Sequence, residues 1–378
     1  MTYTTRGDPI IEKCIRDQLN TSVKIILHHL RKKPLGIILC GGFGRGEGTV
    51  IKDGQQVKPV NDYDLLIVSA ENQIDTQKIG EQITRTLGIK LVEVGVISPD
   101  ELRRLPPSQW AYDLKYGSCV IFGDKDVWQL IPEISPKDIP KWEAIKLLCN
   151  RMAGILGSIH YNSKAQSLAI KNKVWFRVQI DHMLIACGDA SLILCADYHH
   201  LYREKLKRLF THIHWFTKPE VKKIAEAYKR KLSIWGPKQT SIFPVDKELS
   251  VIGALAKKTY LRALQSYLER NVYNLTEAIQ FYYEFHRFSK VSHLKRLITY
   301  MLEPKKHHSF NILPASPIHI CYTFVPLVFF SGPWVPWEER FDIMRLLKKF
   351  LRLTSLSPKF EWEQARSMTY SFWELYCH

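Results

Sequence analysis

Between positions 8 and 31 apolar residues return every three or four places (Ile11, Cys14, Ile15, Leu19, Val23, Ile26, Leu27, Leu30), which is the spacing of one helix face. Asp8 suits the N-cap with Pro9 in the first turn, while Arg31, Lys32 and Lys33 followed by Pro34 suit its end. The period then changes. Unbroken apolar runs at 35–40 (LGIILC) and 65–68 (LLIV) have the short form of buried strands, and 91–97 (LVEVGVI) is another that carries one acid. A second helix is expected at 73–87. The Pro-rich passage at 131–140 marks a domain boundary. Beyond it the pattern is helical, with helices expected at 142–160, 171–194, 202–212, 219–234, 249–270, 276–288, 294–302, 337–353 and 360–377. No fixed-period repeat is present, so a solenoid is not indicated.

Candidate chemistry lies between the first two strands. Gly41, Gly42, Gly44, Gly46 and Gly48 strip side chains from the end of the first strand, so backbone N–H groups there can approach phosphate oxygens. Arg45 stands among them and offers a planar fork of donors to a phosphate. Asp62 and Asp64 are two apart on a strand, so both carboxylates point to one face with Cα atoms roughly 6.5–7 Å apart. Paired acids of this kind suit divalent cations that take hard oxygen ligands. A phosphate cradle beside a carboxylate pair is equipment for metal-assisted phosphoryl or nucleotidyl transfer. Two other glycine motifs fail on spacing. A Walker loop needs Lys-Ser/Thr after its last glycine, where Glu47 stands, and Glu47 also occupies the third place of a dinucleotide-binding G-x-G-x-x-G.

The order apolar strand, Gly41-Gly42, a gap, then Asp62-Tyr63-Asp64 between apolar residues resembles the signature of the nucleotidyltransferase superfamily, the DNA polymerase beta-like fold. Gly44-Arg45-Gly46-Glu47 resembles the Ala-Arg-Gly-Glu run of its minimal bacterial members. The chain departs from the pattern in two ways. The 19 residues between Gly42 and Asp62 make a longer gap than in minimal members, as though a hairpin around 52–55 had been inserted, and Gly42 replaces a common Ser. The resemblance implies a third acid from a neighbouring strand, able to bind metal and to help activate a hydroxyl acceptor. Glu93 is the candidate, with Asp113 as the substitute. The run at 116–124 (YGSCVIFGD) resembles the last strand of that fold.

In the second half, Asn150-Arg151 followed by Lys173, Arg177 and Asp181 resembles the helical domain of larger bacterial nucleotidyltransferases. Lys173, Arg177 and Asp181 recur every four residues and form one helix stripe. Arg151, Lys173 and Asp181 are therefore acceptor-side candidates, against the plainer reading of an i,i+4 ladder.

At 378 residues the chain has room for two domains, and 46% hydrophobic with 24% charged residues excludes wholesale disorder. The 54 Lys and Arg against 37 Asp and Glu leave a formal charge of +17, which favours polyanionic partners: nucleotides, nucleic acid or an anionic membrane surface. Basic runs such as Lys229-Arg230-Lys231 and Lys305-Lys306 alternate with aromatics including Trp215, Phe216, Trp235 and Tyr260, but no RNA-recognition, helix-turn-helix or zinc-finger signature accompanies them. The eight Cys have no metal-site spacing and read as reduced thiols of a cytoplasmic protein. Adjacent His pairs (His28-His29, His199-His200, His307-His308) cannot line one helix face as ligands, and read as incidental. The opening MTYTTRGDP lacks the form of a signal peptide. The apolar run at 318–331 is too short to span a bilayer and suits a core, a subunit interface in an oligomer, or a peripheral membrane contact.

These readings combine into an α+β chain. A polymerase-beta-like nucleotidyltransferase domain at 1–135, a small mixed sheet flanked by helices, precedes a mainly α-helical acceptor domain at 136–378. Two Mg²⁺ or Mn²⁺ ions on Asp62, Asp64 and Glu93, and an NTP on Gly41, Gly42, Gly44, Arg45 and Gly46, would serve transfer of a nucleoside monophosphate with release of pyrophosphate. The acceptor hydroxyl would belong to a sugar, a small molecule, a protein side chain or an RNA end. The alternatives are a non-catalytic nucleotide-binding regulatory module and a basic RNA-binding protein.

Overall fold

The computed structural model describes residues 2–53, 56–60, 62–71, 73–89, 91–162, 167–233, 244–288, 317–351 and 358–377. The turn of the expected hairpin at 54–55, the helix expected at 294–302, Trp235 and the pairs at 305–308 lie outside the described residues. The architecture is α+β, in two compact units: Met1–Pro140 with Cys195–Ser241, and Lys141–Leu194 with Ile242–His378. The first unit thus takes in 195–241 besides 1–140, where the sequence suggested a single boundary at 135/136.

The first unit begins with α1 (Pro9–His29), capped by the Asp8 carboxylate, which accepts from the N–H groups of Ile10 and Ile11. A mixed sheet follows, made of β1 (Gly36–Leu39), β4 (Tyr63–Val68), β5 (Val92–Ile97) and β6 (Cys119–Gly123) in the order β5-β4-β1-β6. β1 runs antiparallel to β4 and β6, whereas β4 and β5 are parallel. The crossover between those parallel strands is α3 (Thr76–Leu87). Residue alternation divides the core. Ile37, Leu39, Tyr63, Leu65 and Ile67 pack with Ile11, Ile15, Leu19, Ile79 and Ile83 of α1 and α3. Ile38, Leu66 and Val68 face the other way, onto Leu102 of α4 (Pro99–Arg103), Leu114 of α5 (Gln109–Gly117), and Val127 and Ile131. The long gap after the glycines holds a separate antiparallel pair, β2 (Val50–Asp53) with β3 (Gln56–Pro59).

Two helices, Tyr202–His212 and Lys218–Lys231, complete this unit. Both are tied to residues just beyond the glycines. The Glu47 carboxylate, on a residue only 2% exposed, accepts from the N–H groups of Tyr202 (2.7 Å) and Arg203 (3.3 Å), satisfying donors at a helix N-terminus. Thr49 Oγ1 donates to the Lys231 carbonyl at the C-terminus of the other helix. Nothing in the local pattern of 195–241 separates it from the helices around it, because its attachment is to side chains about 150–180 positions away.

The second unit is helical, with one antiparallel pair, Ile159–Asn162 with Ser167–Ile170. The apolar run forms a helix, Pro317–Phe330, whose residues from Ile320 to Phe330 are all buried, Pro326 inside the helix among them. It is core, held in part by Trp362, whose Nε1 donates to the Val328 carbonyl. Among the described residues no helix is long and apolar enough to cross a membrane.

Candidate active site

β1 runs into Cys40, whose N–H donates to the Asp64 carbonyl (2.8 Å), and the chain then turns sharply at Gly41. Gly41 has φ +64°, and a Cβ there would lie 1.9 Å from Asp64 Oδ2. Glycine is required on both counts, since an L side chain is strained at that φ and would fill the space the carboxylate occupies. Gly41 to Gly44 form one helical turn, α2, with the Gly44 N–H bonded to the Cys40 carbonyl and the Glu47 N–H to Gly42. The turn hugs β1 so closely that a Cβ on Gly44 would meet the Leu39 carbonyl oxygen at 2.3 Å. Gly46 closes it by donating to Phe43. The glycines thus make a fixed turn rather than a flexible loop.

The parallel register pairs Asp64 with Glu93 across β4 and β5, and Asp62 sits two residues before Asp64 on the same face. Each of the three offers a carboxylate oxygen, and these oxygens lie within 4.8 Å of one another. Asp62 and Asp64 are half-buried and Glu93 is exposed. Burial, and then the like charges of Asp62 and Glu93, push the Asp64 carboxyl up to about 8, with Arg45 and Lys231 pulling the other way. Three carboxylates this close offer a hard-oxygen donor set that could hold a metal ion, and such oxygens fit Mg²⁺ or Mn²⁺. Burial and Asp64 together also raise the Cys40 thiol, so no thiolate competes there.

Arg45 differs from expectation. Its side chain is 7% exposed, with Nη1 3.6 Å from Asp113 Oδ2 and the guanidinium 4.9 Å from the Tyr202 ring centre. Burial alone would lower its pKa, but Tyr202 and Asp113 outweigh it, so the cation is held more firmly than in water. Its fork is partly taken by protein groups. Only Nε is buried with no hydrogen-bond partner among the described residues. Asp113, the substitute third acid, belongs to this arrangement: Tyr198 Oη donates to it (3.0 Å), while Gln109 Nε2 and Lys205 Nζ donate to Tyr198 Oη. Lys205 is 1% exposed, with Nζ 4.2 Å from the Tyr198 ring centre and 4.9 Å from that of Tyr202.

Lys231 was missed. Three consecutive cations read as a solvated helix face, yet Lys231 is 8% exposed and its charge bears on Asp64. No local signal distinguishes it from Lys229 and Arg230. Arg151, Lys173 and Asp181 belong to the second unit. There Asp181 is buried and pairs with Arg177 at 3.5 Å, four residues before it, and Arg177 also reaches Glu248 at 3.8 Å. Lys173 is exposed. Asp181 thus makes the i,i+4 pair, and the long-range partner is Arg177's.

No family model and no curated protein matches the chain. Among solved structures, a spectinomycin adenyltransferase, AAD(9), from Enterococcus faecialis, crystallised with ATP and spectinomycin, is similar at TM-score 0.35 and 16% identity, over 64% of this chain and 98% of that one. A likeness of that size decides neither fold nor activity, so the functional reading rests on the carboxylates and the glycine turn.

Proposed function

We propose that the first unit transfers a nucleoside monophosphate from an NTP to a hydroxyl acceptor and releases pyrophosphate. The observation that carries this reading is the convergence of Asp62, Asp64 and Glu93, with oxygens within 4.8 Å of one another, beside a glycine turn whose Gly41 backbone lies directly against the Asp64 carboxylate. Asp62, Asp64 and Glu93 would hold two divalent cations. Those cations would neutralise the triphosphate and acidify the attacking hydroxyl. The backbone of Gly41 and Gly42 would face the phosphates, since the Gly44 and Gly46 N–H groups are bonded within the turn, and Lys231 would add a cation to the same space. Exposed Glu93, at the rim, is suited to take the acceptor's proton as its oxygen bonds to the α-phosphorus and the bond to pyrophosphate breaks.

The test is a screen of four α-labelled NTPs with Mg²⁺ or Mn²⁺ against small-molecule, lipid and RNA fractions, using the full chain and its Asp62→Asn and Asp64→Asn variants. Label should enter one fraction with matching pyrophosphate, and neither variant should support it. Transfer that persists in both variants would remove the metal-site assignment, whereas NTP binding without transfer to any fraction would favour a nucleotide-binding module.

A further inference from the structure

The two helices at 202–231 carry an excess of charge that the transfer chemistry does not use. Between Tyr202 and Lys231 ten Lys and Arg stand against three Asp and Glu, so 30 residues hold +7 of the chain's +17. Some of these cations are absorbed by the fold: Lys205 and Lys231 are buried, and Arg208 pairs with Asp197 at 2.6 Å. Lys207 pairs with Glu204 at an exposed position, where such a pair adds little. Arg203, Lys218, Lys222, Lys223 and Lys229 are exposed and make no ion pair among the described residues.

These cations are arranged in rows. Arg203, Lys207 and Phe210 recur at i, i+4 and i+7, so they form one stripe of the helix Tyr202–His212, and its last member is a phenyl ring 62% exposed. Lys229, Lys222 and Lys218, seven and four apart, form a stripe of the helix Lys218–Lys231, with Glu226 as the acid beside it. Tyr202 at the start of the first helix packs on Tyr228 near the end of the second, with ring centres 5.7 Å apart, and Glu47 and Thr49 hold those same two ends. The helices therefore run antiparallel. In such a pair the residues one step past the two that touch turn to the same side, and those are Arg203 and Lys229. Both stripes thus start at one end and run along one side, with Phe210 about 10 Å out and Lys218 about 16 Å. That end is the candidate site, since Glu47 adjoins the glycine turn and the charge of Lys231 bears on Asp64.

We infer that this face binds a single-stranded nucleic acid, whose end hydroxyl is the acceptor of the transfer proposed above. The acceptor role rests on that proposal, whereas the binding rests on the two stripes alone. Rows of cations leading away from the carboxylates complement a chain of phosphates, and an exposed ring among them suits an unpaired base. A duplex would meet the cations but keep its bases from Phe210.

Fluorescence anisotropy of a labelled oligouridylate and its oligothymidylate counterpart, with the full chain and neither NTP nor metal, tests the face. At least one strand should bind saturably, and the two arms identify the sugar. Log affinity should fall against log salt with a slope of about −2 or steeper, since each phosphate contacted on a single strand contributes about −0.7. Lys222→Glu with Lys229→Glu should weaken binding about tenfold or more and flatten that slope, and Phe210→Ala should weaken it about fivefold or more. Lys32→Glu with Lys33→Glu, an equal change of charge at another exposed position, should leave affinity unchanged. The inference is overturned by no saturable binding of either strand, by equal loss in the two double variants, or by tighter retention on phosphatidylserine vesicles than on either strand. Asp62→Asn should bind the strand as tightly as wild type. A wild type that labels another acceptor from NTP but never the bound strand overturns the acceptor role, whereas a wild type that labels nothing fails the transfer reading and leaves the binding face supported.

Discussion

Two groups of ionisable side chains flank the glycine turn and are built on opposite terms. Asp62, Asp64 and Glu93 are like charges brought together by a strand register, and burial and repulsion raise the Asp64 carboxyl to about 8. Arg45, Asp113, Tyr198 and Lys205 are as buried or more so, but cation meets anion and each tyrosine or carboxylate oxygen has a donor beside it. The second group pairs opposite charges within the protein, though Arg45 Nε is left without a hydrogen-bond partner among the described residues. The first sets like charges side by side. Residue type does not separate them, since Asp64 and Asp113 are the same side chain. What separates them is the sign of the charge brought beside each: Asp113 meets Arg45, whereas Asp64 meets Asp62 and Glu93.

The largest effect that would break this comparison is on turnover. Asp62→Asn or Asp64→Asn should lower transfer by about a thousandfold or more, several kcal/mol of transition-state stabilisation. Asp64→Asn should melt above wild type without metal, because it removes the repulsion; a lower melting temperature would mean that Asp64 is structurally paired. In the charge-matched group, Arg45→Ala should cost about 3 kcal/mol of folding stability, read by urea denaturation, since it strands Asp113. A flexible-loop role for Arg45 would predict almost none.

Metal sharpens the contrast next. A saturating divalent cation should stabilise wild type by RT ln(1+[L]/Kd), about 2.7 kcal/mol at a hundredfold excess over Kd. Glu93→Gln should gain less from Mg²⁺ or Mn²⁺ than wild type does, and should melt higher without either. Identical curves for the two proteins in both conditions would take Glu93 out of the cluster.

The pH dependence follows from the same residue. Because the folded-state pKa of Asp64 is raised to about 8, the folded protein binds a proton that the unfolded chain has released from about pH 4 upward. Its contribution to stability is therefore intact below about pH 4 and is lost progressively as pH rises toward about 8. Metal should flatten that slope, and denaturation curves across this window with and without Mg²⁺ measure it. The smallest effect belongs to Tyr198→Phe, about 1–2 kcal/mol of stability from donors left unpaired, with metal-dependent stabilisation unchanged.

Much of this site was legible from short spacings. The cap at Asp8, the apolar form of β1, β4 and β5, and the shared face of Asp62 and Asp64 follow from periods of 3.6 and 2, which the chain's covalent geometry imposes locally. The glycines at 41 and 44 also announced a close backbone approach. The turn is nonetheless more rigid than a run of glycines suggests, because it is folded onto β1 and Asp64.

Other features were decided by tertiary structure. Glu93 joins Asp64 only because β5 pairs with β4 in parallel and in one register, since a one-residue slip would turn Glu93 to the opposite face. Arg45 became a partner of Asp113 rather than an open donor because 68 positions of chain close between them. Residues 195–241 join the first unit through Glu47 and Thr49, and Lys231 comes within reach of Asp64 by that route. Local periodicity encodes which face a residue presents. It carries no information on which distant charge will oppose that face, because that depends on which loop closures the whole core rewards.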